Sequence, residues 1–271
     1  MKKKVLFFDI DGTLYDYRGQ MPASAAKALT QARLRGHQLV VCSGRAKYQV
    51  YEELLRDFDG LICDAGACVA KGNEIIYEHF MPRETIQKIE AVFTQAGGFL
   101  SALTDNRMIL SASAKQNLEK KFFRQGISQK MLQQIMGNYL ISEELSHFTD
   151  IKKVLYENAD WSVAQVQDAL RDCCDVTASS FEKAVEDSGE ISVRGIDKSF
   201  GMKKYIEAQG LSREDTIAFG DGPNDVDMIA FAGTGVVMGN GRPELKAQAD
   251  FVTKSVDEDG IAYALEELGL I

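Results

Sequence analysis

Short apolar runs that stop abruptly at polar residues set the first constraint on this chain. VLFF at 5–8 runs into Asp9, LVVC at 39–42 into Ser43, and TIAFG at 216–220 into Asp221. Successive side chains of a strand point to opposite faces, so an unbroken apolar run marks a strand covered on both. Between the runs lie stretches of helical composition. ASAAKALTQARLR at 23–35 ends at Gly36, a residue suited to closing a helix, and further helices are expected over 46–55, 200–209, 223–231 and 257–268. ACVAKGNEIIYE at 67–78 reads as a hairpin turning at Lys71, Gly72 and Asn73. Alternating buried strands and helices predict an α/β fold, a Rossmann-like parallel sheet with right-handed crossovers.

The middle of the chain is different. Helical stretches at 84–95, 115–124 and 163–171 are mixed with strand-like runs at 108–111, 153–156 and 176–178, an α+β pattern. From Glu190 the first style returns with EISVR. The expected organisation is a discontinuous core domain, 1–82 and 188–271, interrupted by an inserted α+β cap domain at 83–187. A length of 271 residues accommodates two modest domains.

Composition narrows the partners. A net charge of -9 repels polyanions, and no basic patch stands out, so a small molecule is expected rather than nucleic acid. The apolar run after Lys2, Lys3 and Lys4 ends at Asp9, too soon for a signal-peptide core, and no segment is long enough to span a membrane. Cys42, Cys63, Cys68, Cys173 and Cys174 form no CxxC or histidine-rich pattern, which suits reduced thiols in a cytoplasmic protein. Monomer and homodimer both stay open.

In parallel α/β sheets ligands bind at the carboxyl ends of the strands. Those ends carry Asp9 and Asp11, then Ser43, Gly44 and Arg45, then Asp221, Asn224 and Asp225, while Lys198 opens the helix after EISVR. Residues two apart in extended chain point the same way, so Asp9 and Asp11 face one site. Two unit charges about 4 Å apart repel by about 4 kcal/mol at an effective dielectric near 20, so converging carboxylates need a cation. An all-oxygen ligand set without cysteine or histidine suits Mg²⁺. Gly12, Gly44 and Gly222 admit sharp turns and close backbone approach, and Thr13, Ser43 and Lys198 add donors, a combination fitted to a phosphate group.

DIDGT at 9–13, SGR at 43–45, Lys198 and GDGPND at 220–225 resemble, in this order, the four motifs of the haloacid dehalogenase superfamily of phosphotransferases. The position of the insertion resembles the Cof-type branch with a large α/β cap. The resemblance implies a Mg²⁺-dependent phosphatase of small phosphorylated metabolites. Asp9 would be the nucleophile that becomes an aspartyl-phosphate, Asp11 the general acid and base, and Lys198 the cation that neutralises the phosphoryl group and orients Asp9. Ser43 and Gly44 would bind phosphate, and Asn224 would help fix Lys198 or bind the phosphate, with Arg45 at the site wall. Asp9, the Asp11 carbonyl, Asp221 and Asp225 would hold the metal. Two positions depart from the family pattern: Ala65 stands where an asparagine is usual, and Ser199 follows Lys198 where a glycine is usual.

Taken singly, each motif has a plain structural reading: a turn at DxDG, a strand end at 43–45, a solvated helix lysine at 198, an N-capped turn at 221–225. Four such accidents at the ends of one sheet are improbable together. Two alternatives to the phosphatase are a hexose-phosphate phosphomutase, whose cap needs clustered basic residues, and a non-catalytic metabolite-binding protein. Arg107, Lys115, Lys120, Lys121 and Arg124 are the available cations, on what reads as a solvated helix face. His37, His79 and His147 match no motif, and Trp161, Phe122 and Phe123 read as packing residues of the insertion.

Overall fold

The computed structural model describes residues 2–124, 138–178 and 187–271. They form two compact units: Met1–Gly44, Tyr51–Glu78 and Ile196–Ile271 make the first, Arg45–Val50 and His79–Gly195 the second. Numbered along the chain, the strands begin with β1 (Val5–Phe8), β2 (Gln38–Cys42), β3 (Gly60–Cys63), β4 (Cys68–Lys71) and β5 (Glu74–Glu78). The second unit supplies β6 (Phe99–Leu103), β7 (Met108–Leu110), β8 (Tyr139–Ile141), β9 (Lys153–Glu157), β10 (Cys174–Ala178) and β11 (Gly189–Val193). The chain returns to the first sheet with β12 (Thr216–Gly220), β13 (Thr234–Val237) and β14 (Phe251–Val252).

In the first unit eight strands lie in the order β14-β13-β12-β1-β2-β3-β4-β5. Pairing is parallel from β14 to β3 and antiparallel in the hairpin β3-β4-β5. All four residues of β1 are buried, which is why its sequence is apolar throughout rather than alternating. On one face Phe7, Val40 and Ile62 pack with Met202, Tyr205 and Ile206 of the helix Lys198–Glu207 and with Met228 and Ile229 of the helix Val226–Phe231. On the sheet's other side the helices Ala23–Leu34 and Gly260–Glu267 pack against each other. Each bury an aliphatic stripe, including Leu29 and Ala32 in one and Ile261 and Leu265 in the other. Register places Phe8 beside Phe219, and the two rings stack with centroids 4.6 Å apart.

The second unit is a six-stranded sheet, β10-β11-β9-β6-β7-β8, antiparallel except for the β7-β8 pair. Ile86, Ile89 and Phe93 of the helix Arg83–Ala96 pack onto Val154, Tyr156 and Ile191. Trp161 joins this core partly buried, and Phe122 is half-buried in a second cluster with Leu103 and Leu110, whereas Phe123 is exposed. Among the described residues no helix is long and apolar enough to cross a membrane.

Three expectations need correction. The strand in EISVR does not resume the first sheet: β11 pairs antiparallel with β9 and β10 in the second. A buried strand looks alike in either sheet, so its apolar residues could not say which one it joined. The stretch 46–55 is not one helix but a single turn at Lys47–Gln49, extended residues Val50 and Tyr51, and the helix Glu52–Asp57. Ala46 packs with Leu103 and Met108 in the second unit, while Tyr51 stacks on Tyr15 in the first with centroids 4.2 Å apart. One continuous helix could not serve both. The closing helix is likewise divided at Asp259, which adopts a left-handed conformation (φ 63°) before Gly260–Glu267.

Between β3 and β4 the chain turns through Asp64 (φ 50°), Ala65 (φ 53°) and Gly66 (φ 104°). Left-handed backbone costs an L-residue other than glycine, asparagine or aspartate roughly 1 kcal/mol, so Ala65 is the strained member. The turn repays this by its contacts: the Ala65 N–H donates to the Ser43 carbonyl at 3.1 Å, and Gly66 lies against the Asp197 carbonyl. A Cβ on Gly66 would stand 2.0 Å from that oxygen. Gly66→Ala should therefore destabilise the protein by more than about 2 kcal/mol, whereas Ala65→Asn should stabilise it by roughly 0.5–1 kcal/mol. Urea-unfolding midpoints at constant slope check both; a stable Gly66→Ala protein would contradict the close approach.

Candidate active site

Asp9 follows the last residue of β1, and its N–H donates to the carbonyl of Phe219 on β12 at 3.0 Å. The strand therefore ends at a fixed height beside β12, and Asp9, Asp221 and Asp225 converge as buried carboxylates with oxygens within 4.8 Å of one another. The turn Gly222–Asp225 is closed by Asp225 itself, whose Oδ2 accepts from the N–H groups of Asp221 and Gly222, each at 2.9 Å. Gly12 (φ 83°) lets the turn after β1 lie directly against Asp221: a Cβ there would meet Oδ2 at 2.3 Å.

Lys198 opens the helix Lys198–Glu207, which is capped by Asp197 Oδ1 accepting from the Phe200 N–H at 2.8 Å. The lysine is 1 % exposed, against the usual habit of its residue type. Its Nζ donates to Asp9 Oδ1 and to Asp225 Oδ1, both at 2.6 Å. Ser199 accommodates its departure from the family pattern by turning away, its Oγ donating to Asp197 Oδ1 at 2.6 Å. Asn224 does not take part in holding Lys198; its Oδ1 lies over Gly222.

The electrostatics are those of a site with too many negative charges. Burial pushes the Asp9 carboxyl well above the ordinary carboxylate value; Lys198 opposes this, while Asp225, Asp221 and Asp11 reinforce it. Burial, then the charge of Asp225, pushes Asp221 up to about 6 despite hydrogen bonds from Thr13 and Tyr17 and the charge of Lys198. For Lys198 itself burial disfavours the charge, but Asp225 and Asp9 outweigh it and hold the ammonium protonated. With all three buried carboxylates ionised, one ammonium leaves an excess of two negative charges, the charge of one divalent cation. An all-oxygen donor set fits a hard cation of that charge.

The remaining predicted residues lie at the same strand ends. Asp11 is partly exposed in the turn after β1, where the Gly12 N–H donates to the Tyr15 carbonyl at 2.8 Å. Ser43 is buried at the end of β2, its N–H bonded to the Ile62 carbonyl at 2.8 Å, and Gly44 follows it. The Arg45 guanidinium donates to the Gln49 carbonyl at 2.9 Å, closing the short turn after it. Of the histidines, His37 is buried and accepts from the Lys4 N–H, and His147 pairs with Glu144.

Two contributors were not foreseen. Tyr17 Oη donates to Asp221 Oδ2 at 3.2 Å, and Asn240 Nδ2 donates to the Gly12 carbonyl at 2.8 Å and to the same Oδ2 at 3.3 Å. The signal for Asn240 was its place at another strand end, in GVVMGN, which carried no charge to attract notice.

The family model for haloacid dehalogenase-like hydrolases matches residues 6–265, and the chain belongs to that family. YkrA of Bacillus subtilis, named as a phosphatase without a stated substrate, is 32% identical over the full length of both chains. The pyridoxal phosphate phosphatase YbhA of Escherichia coli is 26% identical over 97% of each chain. A solved sugar phosphatase of subclass IIB superposes with a TM-score of 0.82 at 26% identity, covering 99% of this chain and 100% of that one.

A raised carboxyl stabilises the fold only while it keeps its proton. The contribution of Asp221 is complete below the unfolded value near 4 and is lost as pH rises through about 6. A divalent cation should restore it. Mg²⁺ is expected to raise the melting temperature of metal-free protein by several degrees at about pH 7.5 and by little at about pH 5. Equal shifts at both pH values, or none, would exclude a cation site at these carboxylates.

Proposed function

We propose that the protein is a Mg²⁺-dependent phosphatase of small phosphorylated metabolites, working through an aspartyl-phosphate on Asp9. The observation that carries this reading is the buried bridge from Lys198 to Asp9 and Asp225, at 2.6 Å each, beside a third carboxylate, Asp221. Lys198 holds Oδ1 of Asp9, which leaves Oδ2 as the oxygen to attack phosphorus. That oxygen attacks, the P–O bond to the leaving group breaks, and Asp11 gives its proton to the departing alkoxide. Asp11 then takes a proton from water, whose oxygen attacks the same phosphorus; the bond to Asp9 breaks and inorganic phosphate leaves. Ser43, the backbone at Gly44, and Asn224 bind the non-bridging oxygens while Lys198 offsets their charge.

Asp9, the Asp11 carbonyl and Asp221 would hold Mg²⁺, with Asp225 anchoring Lys198 and supporting them. Bound there, the ion would supply charge to offset the carboxylates and the transferring phosphoryl group. The phosphomutase alternative asks for clustered cations on the inserted unit. Arg107 is paired with Asp150, Lys115 with Glu119 and Lys121 with Glu157, which favours hydrolysis. Relatives named for pyridoxal phosphate and for sugar phosphates are equally distant at 26% identity, so the class of small phosphate esters is the appropriate level for the substrate. The proposal places the enzyme in the cytoplasm, where five free cysteines stay reduced, and takes neither nucleic acid nor membrane as a partner.

Phosphate release from a panel of sugar, nucleotide and pyridoxal phosphates, with and without Mg²⁺, tests the proposal. Asp9→Asn should lower turnover by more than about 10³-fold and leave a folded protein. Undiminished Mg²⁺-dependent release by that variant would remove Asp9 as the nucleophile.

A further inference from the structure

The end of β13 takes part in the site, although none of the four motifs includes it. The chain leaves β13 through Met238, Gly239, Asn240, Gly241 and Arg242, and this turn wraps Asp221 on two sides. The Met238 N–H donates to the Gly220 carbonyl at 3.0 Å, and the Arg242 N–H donates to the Asp221 carbonyl at 3.3 Å. At its centre Asn240 joins three separate parts of the chain. Its Nδ2 donates to the Gly12 carbonyl at 2.8 Å and to Asp221 Oδ2 at 3.3 Å, while its Oδ1 accepts from the Val256 N–H at 2.9 Å.

An amide suits this place for a definite reason. Asp221 needs donors, since Thr13 Oγ1 already donates to its Oδ1 at 3.0 Å and Tyr17 Oη to its Oδ2 at 3.2 Å. Neutral donors fix a carboxylate without cancelling its charge, whereas a lysine here would neutralise the charge a cation must find. Because the Asn240 Oδ1 also needs a donor, the Val256 N–H fixes which end of its amide faces Asp221. The carboxylate is thus held through both oxygens, in one orientation, by three residues from two segments, the loop after β1 and the turn after β13.

We infer that Asn240 is a positioning residue for the metal site: it sets the orientation of Asp221 and the height of the Gly12 turn, and so the affinity for the cation. Tyr17 assists by pinning the same oxygen. Tyr17 is 75 % exposed, so its loss leaves the fold undisturbed, while Asn240 ties the site to the loop at Val256. The inference rests on the proposed Mg²⁺ site at Asp9 and Asp221.

The test is calorimetric titration of metal-free native protein, Asn240→Ala and Tyr17→Phe with Mg²⁺, alongside their metal-free melting temperatures. Asn240→Ala should weaken Mg²⁺ binding about 10–100-fold and raise the Mg²⁺ concentration for half-maximal activity by the same factor, with substrate KM at saturating Mg²⁺ within about twofold of native. Tyr17→Phe should weaken binding by a smaller factor with no change in melting temperature. A folded Asn240→Ala protein with native Mg²⁺ affinity overturns the inference, as does a loss of activity that excess Mg²⁺ does not restore. If Asn240→Ala does not fold, native affinity in Tyr17→Phe overturns the pinning of Oδ2. Absence of Mg²⁺ binding by the native protein removes the metal site itself, a different failure from an unchanged variant.

Discussion

The Lys198 ammonium, sealed from water between Asp9 and Asp225, is the interaction on which the rest of the structure depends. A buried charge that loses its partner costs about 3–5 kcal/mol, so the three elements that bring these groups together are bound to one another by electrostatics as well as packing. Asp9 is delivered by β1, Asp225 by the turn after β12, and Lys198 by the first residue of a helix laid across the sheet. Strand pairing of Phe8 with Phe219 puts the two acidic ends at one level. A slip of one residue in that register would turn Asp9 to the opposite face and leave the lysine half-paired.

The same bridge leaves the site unbalanced. One ammonium cannot match three carboxylates, and burial makes the mismatch felt as raised affinity for protons at Asp9 and Asp221. At Asp221 the protein meets this with neutral donors from Thr13, Tyr17 and Asn240, which hold the carboxylate in place without cancelling its charge. The negative charge left over is what the proposed Mg²⁺ would offset.

Much of this was legible in the sequence, because the strongest signals are local. VLFF had to be a doubly covered strand, and the acids after it had to stand at a strand end. Gly36 marked the end of a helix and Gly72 the turn of a hairpin, and both have positive φ. What stayed hidden depends on distant partners. The burial of Lys198 follows from Asp9 and Asp225 and from nothing beside it in the chain. β11 has the composition of either sheet, and only its antiparallel neighbours decide. Asn240 is an uncharged residue whose importance comes entirely from Gly12, Asp221 and Val256. The break at Val50 and Tyr51 reflects a division of one short stretch between two cores, which local helical propensity cannot express.

The two ends of the Lys198–Asp9 bridge lie 189 residues apart in the chain. During synthesis Asp9 is made long before Lys198, and β1 must wait beside β2 until β12 arrives to cover its other edge. Until then the nascent chain carries an unpaired, wholly apolar strand edge, a hazard for misassociation. It also carries an aspartate without its lysine, so the carboxylate cluster cannot form before Asp225 has been made. A product that stops before Asp225 thereby lacks the buried bridge altogether.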